Sequence, residues 1–295
     1  MRRFFALSII LVMLTLMAYP ITVLDDLGRV VTIEKAPQRV VSVSPAATRY
    51  LVFLGLQDRV VGVTDWDILA GKVEKIGNMV PLNVEKIVSL KPDLVLAFGG
   101  FQAPEVPKLE RVGLKVLVIN PKSLEDILRS LVMVGYVFGA EDEAREKAEE
   151  LREEMLKVAK KAYSIPIDRR PKVLYLSSVP SAGSKEFWTA CAGSYMNDLI
   201  TLAGGRNIAA SLSGPNGWVP LSLEYIYKEN PDVIIVAKYF GSDEDVIKAV
   251  ENFKPFKALK AVRKGRILVI DGNVASQPSP EIFQLLEVMY EFLHD

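Results

Sequence analysis

The chain is poor in the residues that build metal centres, disulfides and catalytic triads. It has one cysteine, Cys191, in 295 residues, which excludes an intrachain disulfide and any multi-cysteine zinc site. It has one histidine, His294, next to the last residue, which argues against a histidine-rich metal site or a Ser-His-Asp triad. It has no excess of charge: Lys plus Arg and Asp plus Glu each total 36, so there is no basic surplus of the kind that coats nucleic acid. No Gly-x-Gly-x-x-Gly follows a predicted strand, and no Gly-x-x-x-x-Gly-Lys-Ser/Thr loop occurs.

Half of the residues are hydrophobic and 24% are charged, the composition of a folded chain long enough for two domains. Met1-Arg2-Arg3 opens an apolar run from Phe4 to Ala18, which ends at Tyr19-Pro20. A basic start, an apolar centre of roughly 15 residues and a small residue at its end have the form of a secretory signal over residues 1–20. The run is short for a membrane span of about 20 residues. No cysteine stands near it, so export without a cysteine-linked lipid is expected.

Beyond the leader, apolar strands alternate with helical patterns, the signature of βαβ units in a mostly parallel sheet. Residues 21–139 are expected to form one α/β lobe and residues 164–295 a second. Between them, residues 141–163 lack glycine and proline. Ala144, Ala148, Leu151, Met155, Val158 and Ala162 make one apolar stripe there, so 140–163 reads as a connecting helix. The predicted architecture is two Rossmann-like lobes joined by one long rigid helix, with a ligand cleft between them.

An internal repeat is the most informative pattern. Val80-Pro-Leu-Asn-Val-Glu85 through Pro92-Asp93 recurs 139 residues later as Val219-Pro-Leu-Ser-Leu-Glu224 through Pro231-Asp232, each followed by an apolar strand. Asn83 and Ser222 are helix-capping residues, and the proline stops each helix. A glutamate in a first helical turn meets the positive end of the helix dipole, which accounts for either Glu85 or Glu224 alone. Its retention in both halves suggests docking onto a two-fold partner with basic residues.

With these features the chain resembles the cleft-type solute-binding proteins of ABC importers for iron chelates, haem and cobalamin. The resemblance rests on Asp26-Leu-Gly-Arg-Val-Val-Thr-Ile33, Pro37-Gln-Arg-Val-Val-Ser-Val-Ser44-Pro45-Ala-Ala-Thr48, Val60-Val-Gly-Val63, Leu202-Ala-Gly-Gly-Arg-Asn207 and both glutamate repeats. It implies limited lobe closure on a ligand and docking of Glu85 and Glu224 on arginines of a dimeric membrane permease, which works with ATPase subunits. One departure is Arg49, where many members carry glutamate.

Ligands of α/β lobes gather at the carboxyl ends of strands. That rule places Ser44, Arg49, Trp66, Phe98, Phe101, Trp188, Trp218, Tyr239, Asn273 and Gln277 at the expected cleft. All three tryptophans belong to this set, and the resemblance puts Trp66, Phe98 and Trp218 where cobalamin-binding members carry cleft aromatics. Flat rings suit a macrocycle or an aromatic siderophore. Arg49, Lys185 and Lys238 are candidate contacts for an anionic ferric complex. The expected function is therefore capture of a ferric siderophore, another iron complex or cobalamin by an exported, monomeric, non-enzymatic protein. No resident cofactor, no metal site and no nucleic-acid partner are expected. Two alternatives stand beside it: a molybdate or tungstate binder using helix N-termini, and a chelatase-like or metal-cluster enzyme on a related two-lobed fold.

Overall fold

The computed structural model describes residues 20–295, so the predicted leader lies outside the described residues. Among those residues no helix is long and apolar enough to cross a membrane.

The chain begins with a hairpin of β1 (Ile21–Leu24) and β2 (Val30–Ile33). Gly28 turns it at φ 74°, a conformation with no steric cost for glycine. Then follow β3 (Val40–Ser42), α1 (Pro45–Phe53), β4 (Val60–Val63), β5 (Glu74–Lys75), α2 (Val84–Ser89), β6 (Leu94–Phe98), α3 (Val106–Arg111), β7 (Val116–Ile119) and α4 (Leu124–Phe138). The strands pair in parallel in the order β5-β4-β3-β6-β7. A capping box of Ser123 and Asp126 starts α4, and Gly139 at φ 72° ends it.

The long helix α5 (Glu141–Tyr163) comes next. It buries Ala144, Ala148, Met155, Val158 and Ala162 of the predicted stripe and leaves Leu151 half-buried. Three acidic residues in its first turn and Lys160 and Lys161 in its last suit the helix dipole. The sequence spacing predicts i,i+4 pairs Glu143–Lys147 and Glu153–Lys157 on its outer face; the first forms at 3.7 Å, and Glu153 and Lys157 make no ion pair among the described residues.

The second half runs β8 (Lys172–Leu176), β9 (Glu186–Ala190), α6 (Tyr195–Leu202), β10 (Arg206–Asn207), β11 (Trp218–Ser222), α7 (Leu223–Glu229), β12 (Val233–Lys238), α8 (Asp243–Asn252), α9 (Lys260–Arg263), β13 (Ile267–Asp271), α10 (Gly272–Ala275) and α11 (Gln284–His294). Its sheet has the order β10-β8-β12-β13, all parallel. This reproduces β4-β3-β6-β7 of the first sheet strand for strand. The polar residues after Leu176 predict a loop over Phe187 and Trp188; the segment is instead strand β9, paired antiparallel with β11. Its polar flanks concealed a two-stranded ribbon whose partner lies some thirty residues further on.

The repeat has a structural cause. Asp93 accepts hydrogen bonds from the backbone N–H groups of Gln38 at 2.8 Å and Arg39 at 3.1 Å, just ahead of β3. Asp232 accepts from Lys172 N–H, at the start of β8, at 2.8 Å. Each Pro-Asp thus ends a helix and ties the next strand to its neighbour. The preceding residues match as well: Lys91 and Asn230 both take left-handed backbone, at φ 48° and 45°.

The largest apolar cluster is shared by the lobes. It joins Leu96 and Ile119 of the first sheet to α4 and α5, and these to Tyr175, Met196 and Leu286 of the second lobe. Pro280–Phe283, a turn of 3-10 helix ahead of α11, packs against α1, α4 and α5. The lobes therefore meet through a packed base as well as through α5.

Candidate functional site: the cleft between the lobes

In both sheets the first and third strands of the fold order are adjacent (β3 beside β6, β8 beside β12), so the crossovers leave in opposite directions there. Such a switch point opens a crevice at the carboxyl ends of the strands. A cleft of about 200 Å³ lies there, lined from the first lobe by Phe98, Gly99, Gly100, Phe101, Asn120, Pro121 and Lys122. Tyr195, Asn216, Trp218, Ser276 and Pro278 line it from the second.

Local structure explains the first-lobe wall. Gln102 is buried; its side-chain oxygen accepts from Phe98 N–H at 3.1 Å, and its amide donates to Val43 O at 2.6 Å and Met79 O at 3.0 Å. This pins the turn after β6 and leaves Phe101 at the rim, 58% exposed. Gly99 packs so tightly on Asn120 that a Cβ would collide with the asparagine side chain.

The second-lobe wall is built around Trp218. Its ring lies 5.9 Å from Tyr175 and 6.1 Å from Tyr195, tilted in both cases, a favourable edge-directed arrangement. The Gly214–Gly217 turn sets its position. Asn216 and Gly217 have φ 53° and 78°, and a Cβ on Gly214 would strike the Trp218 carbonyl oxygen. The Tyr195 hydroxyl donates to Ala275 O at 3.2 Å, and burial pushes its pKa up, so it stays a neutral phenol.

Of the residues expected at the cleft, Phe98, Phe101 and Trp218 line it. Ser44 is buried as the residue ahead of α1. Trp66 stands 77% exposed on the loop after β4, at the same end of the sheet. Trp188 is half-exposed on β9, in register with Pro220. Tyr239 follows β12 and packs at the backbone of Gly272. Asn273 is exposed, with its N–H donating to the Asp271 carboxylate at 2.8 Å, and Gln277 is half-buried beside the lining residue Ser276. None of these seven, counting Arg49 below, is among the residues that line the cleft.

The expected cations are engaged elsewhere. Arg49 is buried in an ion pair with Glu281 across the lobe boundary. Lys238 pairs with Asp243 at 2.5 Å. Lys185 lines a separate groove beside α8, within the second lobe alone. Among the described residues Lys122 is the one charged residue lining the cleft.

Beneath the first-lobe wall lies a buried polar network. The Thr48 hydroxyl hydrogen-bonds to Ser42 Oγ at 2.8 Å and to the Asp67 carboxylate at 2.5 Å, and Asp67 also accepts from Leu69 N–H at 3.0 Å. Burial raises the Asp67 pKa, with these hydrogen bonds and Arg49 opposing. Asp67 thus serves its own loop. Among the described residues no group of three or more His, Cys, Asp or Glu side chains is arranged to hold a metal ion.

Glu85 and Glu224 occupy the second position of α2 and α7. Asn83 and Ser222 cap those helices by accepting from Lys86 N–H at 3.0 Å and Tyr225 N–H at 3.2 Å. Both carboxylates are exposed, and neither forms an ion pair among the described residues.

Tyr195, Asn120, Asn216 and Pro278 were not singled out in the sequence, whereas Ser276, read with Asn273 and Gln277 as a hydrogen-bonding group after the last strand, does line the cleft. Asn120 directly follows β7, so the strand-end rule could have found it. Asn216 sits in a Gly-Pro-Asn-Gly turn whose left-handed asparagine was a local signal. Tyr195, at a helix start, carries no such mark.

Residues 40–274 match the family described as periplasmic binding protein. An uncharacterized ABC transporter substrate-binding lipoprotein of Bacillus subtilis is 31% identical, over 94% of this chain and 86% of its own. A vitamin B12-binding protein of Photorhabdus laumondii is 29% identical, over 74% of this chain and 76% of its own. The crystal structure titled as an ABC-type Fe3+-hydroxamate transport system from Saccharomonospora viridis superimposes with TM-score 0.74 at 24% identity, covering 94% of this chain and all of that one; at that identity the likeness is one of fold.

Proposed function

The chain belongs to the periplasmic binding protein family, and from that premise we propose that it captures a metal chelate of low net charge in the interlobe cleft. It is a substrate-binding protein of an ABC transporter and not an enzyme. Such proteins deliver to a permease with its ATPase subunits.

The observation that carries the choice of ligand is the lining of the cleft. Phe98, Phe101, Tyr195 and Trp218 offer ring faces and edges, Asn120, Asn216 and Ser276 offer neutral hydrogen-bonding groups, and Lys122 offers one positive charge. A multiply charged ferric complex calls for several cations, as charge-assisted contacts do for any anion. A small oxyanion would leave the aromatics unused. A corrinoid such as cobalamin or a neutral ferric hydroxamate fits best, with amides for the asparagines and flat apolar area for the rings. Burial keeps Tyr195 a neutral phenol that donates to Ala275 O, so it is not offered as a phenolate ligand and the chelate is proposed to keep its own coordination. Two relatives named for vitamin B12 or cobalamin support this reading.

We assign Glu85 and Glu224 as the docking carboxylates, one per lobe. The protein is proposed to act outside the cytoplasm as a monomer, exported by the Met1–Pro20 segment. The Bacillus subtilis relative is called a lipoprotein; in this chain the sole cysteine, Cys191, is buried in the second lobe. A cysteine-linked lipid is therefore not part of the proposal.

The test is tryptophan fluorescence titrated in parallel with cyanocobalamin, haemin, a neutral ferric hydroxamate, ferric citrate and molybdate, with inner-filter controls and calorimetry of hits. Saturable micromolar or tighter binding of cyanocobalamin or the hydroxamate is expected. Binding of ferric citrate or molybdate alone overturns the low-charge reading.

A further inference from the structure

The buried tyrosines of the protein differ in one respect. The Tyr50 hydroxyl donates to Pro278 O at 2.9 Å and the Tyr195 hydroxyl to Ala275 O at 3.2 Å. The Tyr175 side chain is fully buried, and its hydroxyl has no hydrogen-bond partner. An unsatisfied buried hydroxyl destabilises the fold, so its presence calls for an explanation.

Its location supplies one. Tyr175 is on β8, near the carboxyl end of the second sheet, and packs against Trp218, which lines the cleft. A second buried hydroxyl without a partner, Thr189 Oγ1, is on β9 in register with Val219, the residue after Trp218. β9 also adjoins the end of β8, where Ser177 N–H donates to Trp188 O at 3.0 Å. Strand alternation turns the Thr189 side chain with Val219 to the other face of the ribbon, so Tyr175 is the partnerless group beside the tryptophan. The cleft in front of it, about 200 Å³, is smaller than the roughly 300–1,000 Å³ of ordinary ligand pockets. Trp218 is only half-buried, and it both lines the cleft and packs on the Tyr175 ring.

We propose that Trp218 covers a polar subsite, opened when its ring turns aside, in which the Tyr175 hydroxyl donates a hydrogen bond to a carbonyl or carboxylate oxygen on the periphery of the bound chelate. Burial raises the Tyr175 pKa, so the hydroxyl keeps its proton and acts as a donor. Its cost in the empty protein is recovered when ligand is bound. This inference rests on the chelate reading above.

The test compares wild type with Tyr175→Phe and, separately, Thr189→Val, each close to isosteric. Removing a partnerless hydroxyl should leave the Tm of the ligand-free protein unchanged or raise it by roughly 1–3 °C, while Kd for cyanocobalamin, or for the neutral ferric hydroxamate if that is the probe bound, weakens about 5–20-fold in Tyr175→Phe. Weaker binding together with undiminished stability is not what a purely structural tyrosine produces. Kd within twofold of wild type in Tyr175→Phe overturns the subsite and leaves the chelate reading standing; Thr189→Val, on the far face of the ribbon, is the control and should leave Kd unchanged. A lowered Tm with unchanged Kd also overturns it, pointing to a structural water on the hydroxyl. Wild-type protein that binds neither probe overturns the chelate reading, and the subsite with it. Should Tyr175→Phe fail to fold, Tyr175→Met takes its place: a Kd weakened about fivefold or more supports the subsite, and an unchanged Kd overturns it.

Discussion

Arg49, on the first helix of one lobe, forms an ion pair with Glu281 of the other. The guanidinium is buried, and its Nε has no hydrogen-bond partner. Burial lowers the Arg49 pKa, while Asp271 and Asp67 oppose that shift. The next residue, Tyr50, donates to Pro278 O in the same second-lobe segment, and Leu124 N–H donates to the Asp198 carboxylate at 3.3 Å. Residues 278–283 thus form a second crossing between the lobes, alongside α5. Arg49 serves this contact between the lobes and does not line the cleft.

Glu281→Gln leaves a buried cation without its counter-charge. The expected cost is about 1–3 kcal/mol, read as a lower urea midpoint at unchanged m. The double variant Arg49→Met with Glu281→Met should recover much of that loss, because no buried charge remains. Equal destabilisation by the single and double variants would remove the ion pair from the account.

Charge reversal at Glu85 and Glu224 together should reduce transport in vesicles carrying the permease at least tenfold while leaving ligand affinity within twofold. The carboxylates lie on surface helices, outside the cleft lining. One turn along the same helices, Val88 and Tyr227 are exposed apolar residues at matching repeat positions, and the Tyr227 hydroxyl is tied to Pro255 O. A large fall in ligand affinity would contradict a docking role for the pair.

Trp218→Ala should weaken chelate binding about 5–30-fold, the loss of roughly 1–2 kcal/mol of aromatic contact. Circular dichroism should show the lobe still folded, since β11 keeps its five-residue register with β9. Trp188→Ala, on the other strand of the same ribbon, should change Kd by less than twofold. Equal effects of the two substitutions would mean that the cleft lining described here is not the binding surface.

Asp67 gives a pH prediction. Its folded pKa lies above its unfolded value, chiefly through burial, so the native state holds the proton more tightly. Stability therefore falls as pH rises from the ordinary carboxylate range through the raised folded value, and the proton-linked gain is fully present below the unfolded pKa. The groups facing the carboxylate are the Thr48 hydroxyl, Leu69 N–H and the Arg49 charge. Asp67→Asn should flatten the urea midpoint against pH between about pH 4 and pH 7. An undiminished slope would assign it to another group, with Asp198, also raised by burial, the first to examine.

The strands, the long helix and the matched Pro-Asp turns were legible because each depends on nearby residues. Apolar alternation, helix caps and a proline after the last turn act over a few positions, so α4 and α5 fall where periodicity put them. Phe98 and Phe101 were legible for the same reason: they directly follow a buried strand, and strand ends make the crevice. The fates of the tryptophans were not. Trp188 and Trp218 lie on two strands of one ribbon, yet only Trp218 lines the cleft, and that depends on how the ribbon packs on Tyr175 and Tyr195. Arg49 read as a cleft cation until Glu281 was brought beside it, and Tyr195 and Asn216 carried no shared mark in the chain. Local pattern determines which segments become strands and helices. The cleft is made where residues far apart in sequence meet, and packing across the lobe boundary decides which side chains face it.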